Sequence, residues 1–260
     1  MKKLISPLLA LVSVTAFAAQ EYKTTSYDNL LAATDGWVAY SNGSSATLST
    51  YLDTTDSKFN GQNGWAYSSI QYTFDTPLSL PADATNALLT FSYTFYVGNN
   101  AAATLSFVGE DKVVVTGSGW YDGAGNENGH TAGFGISTNT SETFYNFKDE
   151  NDGKGAAKTG DYTMVYDYDS GNKTVEVSGS ISYSDAGYML SMTCEGTTKS
   201  VNLGESFKVN SIILSGNGGG GASISNVKIS HTAPIPEPST FGLLAGLGAL
   251  ALVGTRRRRR

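Results

Sequence analysis

An alternation of apolar and polar residues with a period of two is the feature that most constrains the fold of this chain. At residues 89–97 every odd position is apolar or aromatic, and Thr or Ser fills most of the even positions. Residues 70–75, 162–166 and 175–177 alternate in the same way. Because successive side chains of a strand point to opposite faces, this pattern indicates strands with one face in the core.

Turn-forming residues separate these segments at intervals of about 8 to 12 residues, as in a sandwich or barrel. Residues 19–233 contain 26 glycines and two prolines, so the turns depend mostly on the open conformations of Gly and Asn. Residues 169–172, Asp-Ser-Gly-Asn, predict a hairpin turn between strands at 162–168 and 174–178. The sequence contains no convincing long helix and no repeat of fixed period. It therefore predicts an all-β fold, a two-sheet antiparallel β-sandwich of about a dozen strands.

The N-terminus has the composition of an export signal. Lys2 and Lys3 precede an apolar run at residues 8–17, and residues 16–18 form the small-x-small pattern that a signal peptidase accepts. The alternative is an amphipathic first helix of the domain, but the run is apolar on all faces. We predict a signal peptide at residues 1–18, removed by signal peptidase, and a β-sandwich domain at 19–233.

The C-terminus combines three features in a fixed order. The triplet Pro236, Glu237 and Pro238 precedes an apolar stretch at residues 241–253. As a helix, residues 239–255 would extend about 25 Å, enough to cross a thin bilayer. A cluster of arginines ends the chain and would stay on the cytoplasmic side of the inner membrane. Its members are Arg256, Arg257, Arg258, Arg259 and Arg260.

This tail, at residues 234–260, resembles the PEP-CTERM sorting tail of Gram-negative bacteria. The resemblance implies recognition by an exosortase, an integral-membrane cysteine protease that cleaves near the Pro-Glu-Pro triplet. It also implies a membrane-anchored precursor whose product resides at the cell surface or in an extracellular polysaccharide matrix. The alternative is an ordinary single-pass anchor that remains attached.

Parts of the body resemble concanavalin A-like and laminin G-like jelly rolls. Residues 162–167 and 173–179 look like a late hairpin of such domains. Residues 224–229 are similar to the strand that closes them. The resemblance implies a jelly-roll sandwich.

Charge and cysteine content exclude several functions. Residues 19–233 contain ten lysines and no arginine against 22 acidic residues, a net charge of −12. Such a body repels phosphate backbones, so we expect no nucleic-acid partner. Cys194 is the single cysteine of the sequence, which excludes an intramolecular disulfide, a zinc cluster built on thiolates and a redox pair.

The sequence contains no recognisable catalytic motif. A retaining glycosidase needs two carboxylates about 5 Å apart, which a concanavalin-like sheet supplies as a Glu-x-Asp-x-Glu type of run, and no such run occurs. Two histidines, His130 and His231, are too few for a histidine metal triad. Asp167 and Asp169 are candidate ligands of a divalent ion such as Ca²⁺, with a role in capping a hairpin turn as the alternative. We expect no other cofactor.

One segment has the composition of a glycan site. Two aromatic residues, Trp120 and Tyr121, precede the polar residues Asp122, Asn126 and Asn128. Sugar rings stack their apolar faces on aromatic rings, and their hydroxyls need polar partners. The alternative is that Trp120 closes the end of the sandwich and the residues after it form a long loop.

Together these features predict an exported, non-enzymatic surface or matrix protein whose sandwich binds or coats extracellular polysaccharide. One alternative is a divergent jelly-roll glycoside hydrolase or lyase. The other is a purely structural envelope protein without a ligand.

Overall fold

The computed structural model describes residues 21–40, 47–80, 88–97, 101–110, 113–122, 130–139, 162–168, 173–205, 207–218 and 221–235. Within these ranges the chain forms fifteen strands and one short helix, α1 (Leu48–Tyr51). The strands are β1 (Tyr22–Tyr27), β2 (Trp37–Tyr40), β3 (Leu52–Asp53), β4 (Lys58–Asn60), β5 (Gln62–Ser79), β6 (Leu88–Val97), β7 (Ala101–Val108), β8 (Val113–Asp122), β9 (His130–Asn139), β10 (Tyr162–Tyr168), β11 (Lys173–Ser184), β12 (Gly187–Cys194), β13 (Thr197–Gly204), β14 (Lys208–Gly218) and β15 (Ala222–Pro234). The predicted all-β class is confirmed, with more strands than the dozen expected.

The chain divides into two units. The larger, Tyr22–Ala233, contains the β-sandwich, and the smaller combines Met1–Glu21 with Pro234–Arg260. In the smaller unit the N–H of Ile235 donates a hydrogen bond of 2.7 Å to the carbonyl oxygen of Glu21. No helix among the described residues is long and apolar enough to cross a membrane. The predicted signal peptide and transmembrane segment lie outside those residues.

Two antiparallel sheets form the sandwich, as predicted. Sheet A has the strand order β13-β12-β11-β6-β15-β4-β3, and β1 also pairs with β15. Sheet B has the order β10-β9-β8-β7-β14-β5-β2. The final strand, β15, lies in sheet A between β6 and β4.

The predicted hairpin between residues 162–168 and 174–178 is wrong. Strand β10 is the edge strand of sheet B and pairs with β9. Strand β11 lies in sheet A, between β12 and β6. The chain therefore crosses from one sheet to the other here, and residues 169–172 lie outside the described residues. Period-two alternation identifies the buried face of a strand, but it does not specify the neighbouring strand.

The tight hairpins of sheet A lie further along the chain. Glu195 and Gly196 join β12 to β13, and Cys194 pairs with Thr197 across this turn. The φ angles of Glu195 and Gly196 are 48° and 78°, both in the left-handed region that a type I′ turn requires. Because this turn type matches the twist of the strands, it fixes the register of β12 and β13.

The core lies between the two sheets and contains the inward side chains of the alternating strands. Leu89, Phe91, Tyr93 and Phe95 of β6 are each at most 3 % exposed. The ring of Phe95 contacts Phe134 of sheet B edge to face, with ring centroids 5.3 Å apart. Each large apolar side chain buried in this way stabilises the fold by about 1.5–3 kcal/mol. The alternation at residues 89–95 is therefore confirmed as a core pattern.

A glycine makes room for one of these rings. A Cβ atom on Gly179 of β11 would lie 2.3 Å from Cζ of Phe91 and 2.8 Å from the carbonyl oxygen of Ser191. Both distances are shorter than a van der Waals contact between heavy atoms. The ring of Phe91 thus packs directly on the backbone of the neighbouring strand.

The central strands of sheet B are buried on both faces. Val113, Val115 and Ile213 alternate with core residues and point away from the core, yet they are 3 %, 5 % and 0 % exposed. On the same face the Oγ atoms of Ser69 and Ser215 are 2.7 Å apart, and both residues are buried. Most outward residues of sheet A, by contrast, are exposed or half-buried.

Candidate functional site

The outward residues of sheet A form a row of hydroxyl groups that crosses the strands. Ser180 of β11 is aligned with Ser191 of β12 on one side and with Thr90 of β6 on the other. The register extends this row to the edge strand β13 and to β15. The first row consists of Ser200, Ser191, Ser180, Thr90 and Ser230.

A second row runs beside the first, two residues away from it on each strand. Ser178 is aligned with Thr193 and with Ser92, and Ser92 is aligned in turn with Lys228. The second row consists of Thr198, Thr193, Ser178, Ser92 and Lys228. We call the two rows together the hydroxyl face.

Hydrogen bonds between neighbouring strands order several of these hydroxyls. The side-chain oxygens of Thr193 and Thr198 are 2.7 Å apart, as are those of Ser191 and Ser200. At the other end of the first row, the Oγ of Ser230 is 3.3 Å from another serine Oγ, that of Ser26 in β1. Cross-strand hydroxyl pairs of this kind stabilise a sheet and hold the side chains in fixed positions.

Two shallow grooves lie over the hydroxyl face. One has a volume of about 760 Å³ and the other about 570 Å³. Both are lined by Ser92, Ser178, Thr193 and Lys228, so they overlap at the centre of the second row. Side chains from β6, β11, β12 and β15 thus line one continuous depression across the sheet.

Charged side chains lie at the margins of the hydroxyl face. Glu176 and Glu195 line the larger groove, and Asp28 lines the smaller one. Lys228 is exposed and forms no ion pair with another described residue. The rows themselves, apart from Lys228, carry no charge.

A β-bulge shapes one side of the larger groove. The pairing of β15 with β6 shifts between Ser225 and Lys228. Asn226 in this bulge has a φ of 55°, and its Nδ2 donates a hydrogen bond of 3.2 Å to Oγ1 of Thr94. Asn adopts the left-handed region more readily than most residues, so it suits this position. The bulge directs an amide side chain onto the outward face.

Two ionisable groups lie on the inward side of the same strands. Burial raises the pKa of Tyr93 far above its usual value, although its side-chain hydrogen bond with Thr116 acts in the opposite direction. Burial also raises the pKa of the Cys194 thiol to about 12, and the charge of Glu195 adds to the shift. Both groups are therefore neutral at physiological pH and supply no nucleophile beneath the hydroxyl face.

The predicted glycan segment lies at the end of two paired strands of sheet B. The backbones of Trp120, Tyr121 and Asp122 belong to β8, where they pair with residues 130–132 of β9. Asn126 and Asn128 lie outside the described residues. The glycan role of this segment stays a prediction.

The other predicted sites are described only in part. The backbone of Asp167 belongs to β10 and pairs with Gly133, whereas Asp169 lies outside the described residues. In the described ranges no group of three or more His, Cys, Asp or Glu residues could hold a metal ion. The residues 236–238 and 256–260 of the sorting tail also lie outside them. The Ca²⁺ site stays a prediction.

Sequence reasoning missed the hydroxyl face. Its signal is a run of Ser and Thr at alternating positions, most clearly at residues 174–184, where every outward position except Glu176 is a hydroxyl residue. A single strand of this kind looks like an ordinary solvent-exposed face. The rows are recognisable only when the register of five strands is known.

A family model described as the PEP-CTERM protein-sorting motif matches residues 234–259. The match confirms the resemblance seen in the sequence, so the chain carries this sorting motif at its C-terminus. It covers the tail and not the β-sandwich. No curated protein sequence matches the chain.

Several solved structures are similar to the chain over most of its length. A peanut lectin with a 9mer peptide has a TM-score of 0.45 and 10% identity, over 83% of this chain and 99% of the lectin. An endo-1,3-beta-glucanase from Streptomyces sioyaensis has a TM-score of 0.48 and 10% identity, over 82% of this chain and 97% of the glucanase. A Lotus tetragonolobus seed lectin has a TM-score of 0.43 and 10% identity, over 82% of this chain and 99% of the lectin. Likeness at this level identifies neither a ligand nor a reaction.

Proposed function

We propose that this chain is an exported, non-catalytic protein of the cell surface or extracellular matrix that associates with polysaccharide. The sorting motif at residues 234–259 carries the proposal. A chain with such a tail is anchored at its C-terminus and exported, so its β-sandwich functions outside the cytoplasm.

The charges at the two ends support a specific route of export. Lys2, Lys3 and the terminal arginines stay in the cytoplasm, and the body is translocated. Signal peptidase removes residues 1–18. An exosortase then cleaves near Pro236, Glu237 and Pro238, which releases the body to the surface.

The shape of the hydroxyl face supports association with a polymer. Pockets for small molecules are concave and bury most of their ligand. The depression over Ser92 and Ser178 is shallow and crosses several strands. An extended chain of sugars can follow such a surface and form many individually weak contacts.

The absence of a carboxylate motif from the sequence supports a non-catalytic role. Retaining glycosidases need two carboxyl groups flanking the scissile bond. In the larger groove, the described carboxylates Glu176 and Glu195 are the residues to remove if hydrolysis is detected. Release of reducing sugar by the wild-type chain, abolished by Glu176→Gln or Glu195→Gln, would replace this proposal with a hydrolase.

The export route is tested by mass spectrometry of the surface-extracted protein in a host that contains an exosortase. We expect a mature chain without residues 1–18 and without the arginine cluster. A matched variant with Pro236→Ala, Glu237→Ala and Pro238→Ala keeps its tail and stays in the membrane fraction. An intact arginine cluster on the wild-type surface protein would contradict cleavage and indicate an ordinary single-pass anchor.

Polysaccharide association is tested by fractionation of the same cells. The wild-type protein should co-purify with the extracellular polysaccharide and leave it after enzymatic digestion of the polymer. Retention in the envelope regardless of digestion would favour a purely structural envelope protein.

A further inference from the structure

We propose that the hydroxyl face of sheet A docks a neutral polysaccharide whose chain lies across the strands, along the hydroxyl rows. This inference rests on the proposed function. It adds the docking surface, the charge class of the polymer and its direction on the sheet.

The spacing of the rows suits an extended polymer. Neighbouring strands are about 4.7–4.9 Å apart, so hydroxyls repeat at this interval along each row. An extended β-linked pyranose chain has a similar repeat per sugar. A polymer placed along the first row would therefore meet one protein hydroxyl per sugar residue, from Ser191 through Ser180 to Thr90.

The hydroxyls keep hydrogen-bonding capacity for a ligand. Each Ser or Thr side chain donates one hydrogen bond and accepts up to two. The pair formed by Thr193 and Thr198 uses one donor, so the other donor and several lone pairs remain available. Sugar hydroxyls have the same dual character, so donors and acceptors can be matched along a row.

The charge of the domain disfavours an acidic polymer. With a net charge of −12 over residues 19–233, the body repels polyanions such as polyuronates. Asp28, Glu176 and Glu195 strengthen this repulsion at the edges of the grooves. Lys228 is one cation among these carboxylates, which is too little to attract an acidic polymer.

The test uses the full-length chain in affinity electrophoresis. Native gels that contain one of three neutral polymers are compared with gels that contain alginate, a polyanion. The neutral polymers are laminarin, which is a soluble glucan, dextran and galactomannan. We expect at least one neutral polymer to retard the protein and alginate to leave its mobility unchanged. Stronger retardation by alginate would overturn the neutral assignment.

A pair of isosteric substitutions locates the binding surface. Thr90→Val with Thr193→Val removes one hydroxyl from each row while keeping size and strand propensity. The matched control is Thr73→Val with Thr76→Val, at exposed positions of β5 in sheet B. We expect the first double variant to bind the retarding polymer at least fivefold more weakly and the control to bind as the wild type does. Both should keep the melting temperature within a few degrees.

A third variant blocks the face by size and charge. Ser178→Glu places a carboxylate where the two grooves overlap and should abolish retardation.

If the wild type is retarded but all variants of the hydroxyl face behave like it, the docking surface is wrong and the proposed function stands. If Trp120→Ala is the one variant that loses retardation, the binding site lies at the end of β8. A wild-type chain that none of these polymers retards, neutral or acidic, would contradict both proposals.

Discussion

The hydroxyl oxygen of Tyr93 lies 2.9 Å from Oγ1 of Thr116, and this hydrogen bond joins the two sheets inside the core. Oγ1 of Thr116 donates in turn to the carbonyl oxygen of Leu105, at 2.9 Å. Because the single hydroxyl proton of Thr116 is used in this second bond, Tyr93 must be the donor in the first. A directed chain of hydrogen bonds therefore runs from β6 through β8 to β7.

This direction predicts unequal costs for removing the two partners. Tyr93→Phe removes a donor and leaves Thr116 still bonded to Leu105, so we expect a loss of about 0.5–1.5 kcal/mol. Thr116→Val leaves the buried hydroxyl of Tyr93 and the carbonyl of Leu105 without this partner, so its cost should be larger, about 1–3 kcal/mol per unsatisfied group. Urea titration of both variants measures the difference. Equal losses would contradict the assigned direction.

Gly179 is predicted to be intolerant of any side chain. In Gly179→Ala the new methyl group would meet the ring of Phe91 and the carbonyl of Ser191. Overpacking of this kind costs about 1–3 kcal/mol. The neighbouring variant Ser180→Ala adds no atom, and its side chain lies on the outward face of the sheet. It should therefore change the free energy of unfolding by less than about 0.5 kcal/mol. Thermal unfolding of the two variants side by side tests the contact.

Much of the architecture could be predicted from alternation alone. The pattern at residues 89–95 identified the buried face of β6, and Val175 and Val177 are buried as their alternation required. The pairing of strands could not be predicted. The turn-like residues at 169–172 suggested a hairpin, but β10 and β11 lie in different sheets. Turn chemistry is local, whereas the choice of sheet depends on contacts between strands distant in sequence.

The surfaces were harder to predict than the core. Ser106 and Ser211 occupy polar, outward positions of sheet B, so alternation predicts exposure, yet each is 3 % exposed. Ser178 has the same sequence character and lies exposed on sheet A. Alternation reports only which side of its own strand a residue occupies. Whether that side is exposed to solvent depends on what packs against the sheet. The periodicity of the sequence carries no information about this packing.

The buried thiol of Cys194 predicts a loss of stability at alkaline pH. Its pKa is raised to about 12 in the folded chain, chiefly by burial, from an ordinary value of 9.0. Below pH 9 the thiol is protonated in both the folded and the unfolded chain, so it does not change the free energy of unfolding with pH. Above pH 9 the unfolded chain releases this proton and the folded chain keeps it, so unfolding becomes more favourable until the pH reaches about 12.

Cys194→Ala isolates this contribution from the other groups that titrate in the same range. The wild type should lose about 1.4 kcal/mol more than the variant between pH 8 and pH 10, since one pKa unit corresponds to about 1.4 kcal/mol. Urea titrations of both proteins at each pH measure the two free energies of unfolding. In the folded wild type, the same burial should make the thiol unreactive towards a maleimide at pH 8, with reaction only after unfolding. Parallel stability curves for the two proteins, or rapid labelling of the folded chain, would show that Cys194 is accessible to solvent and not part of the core.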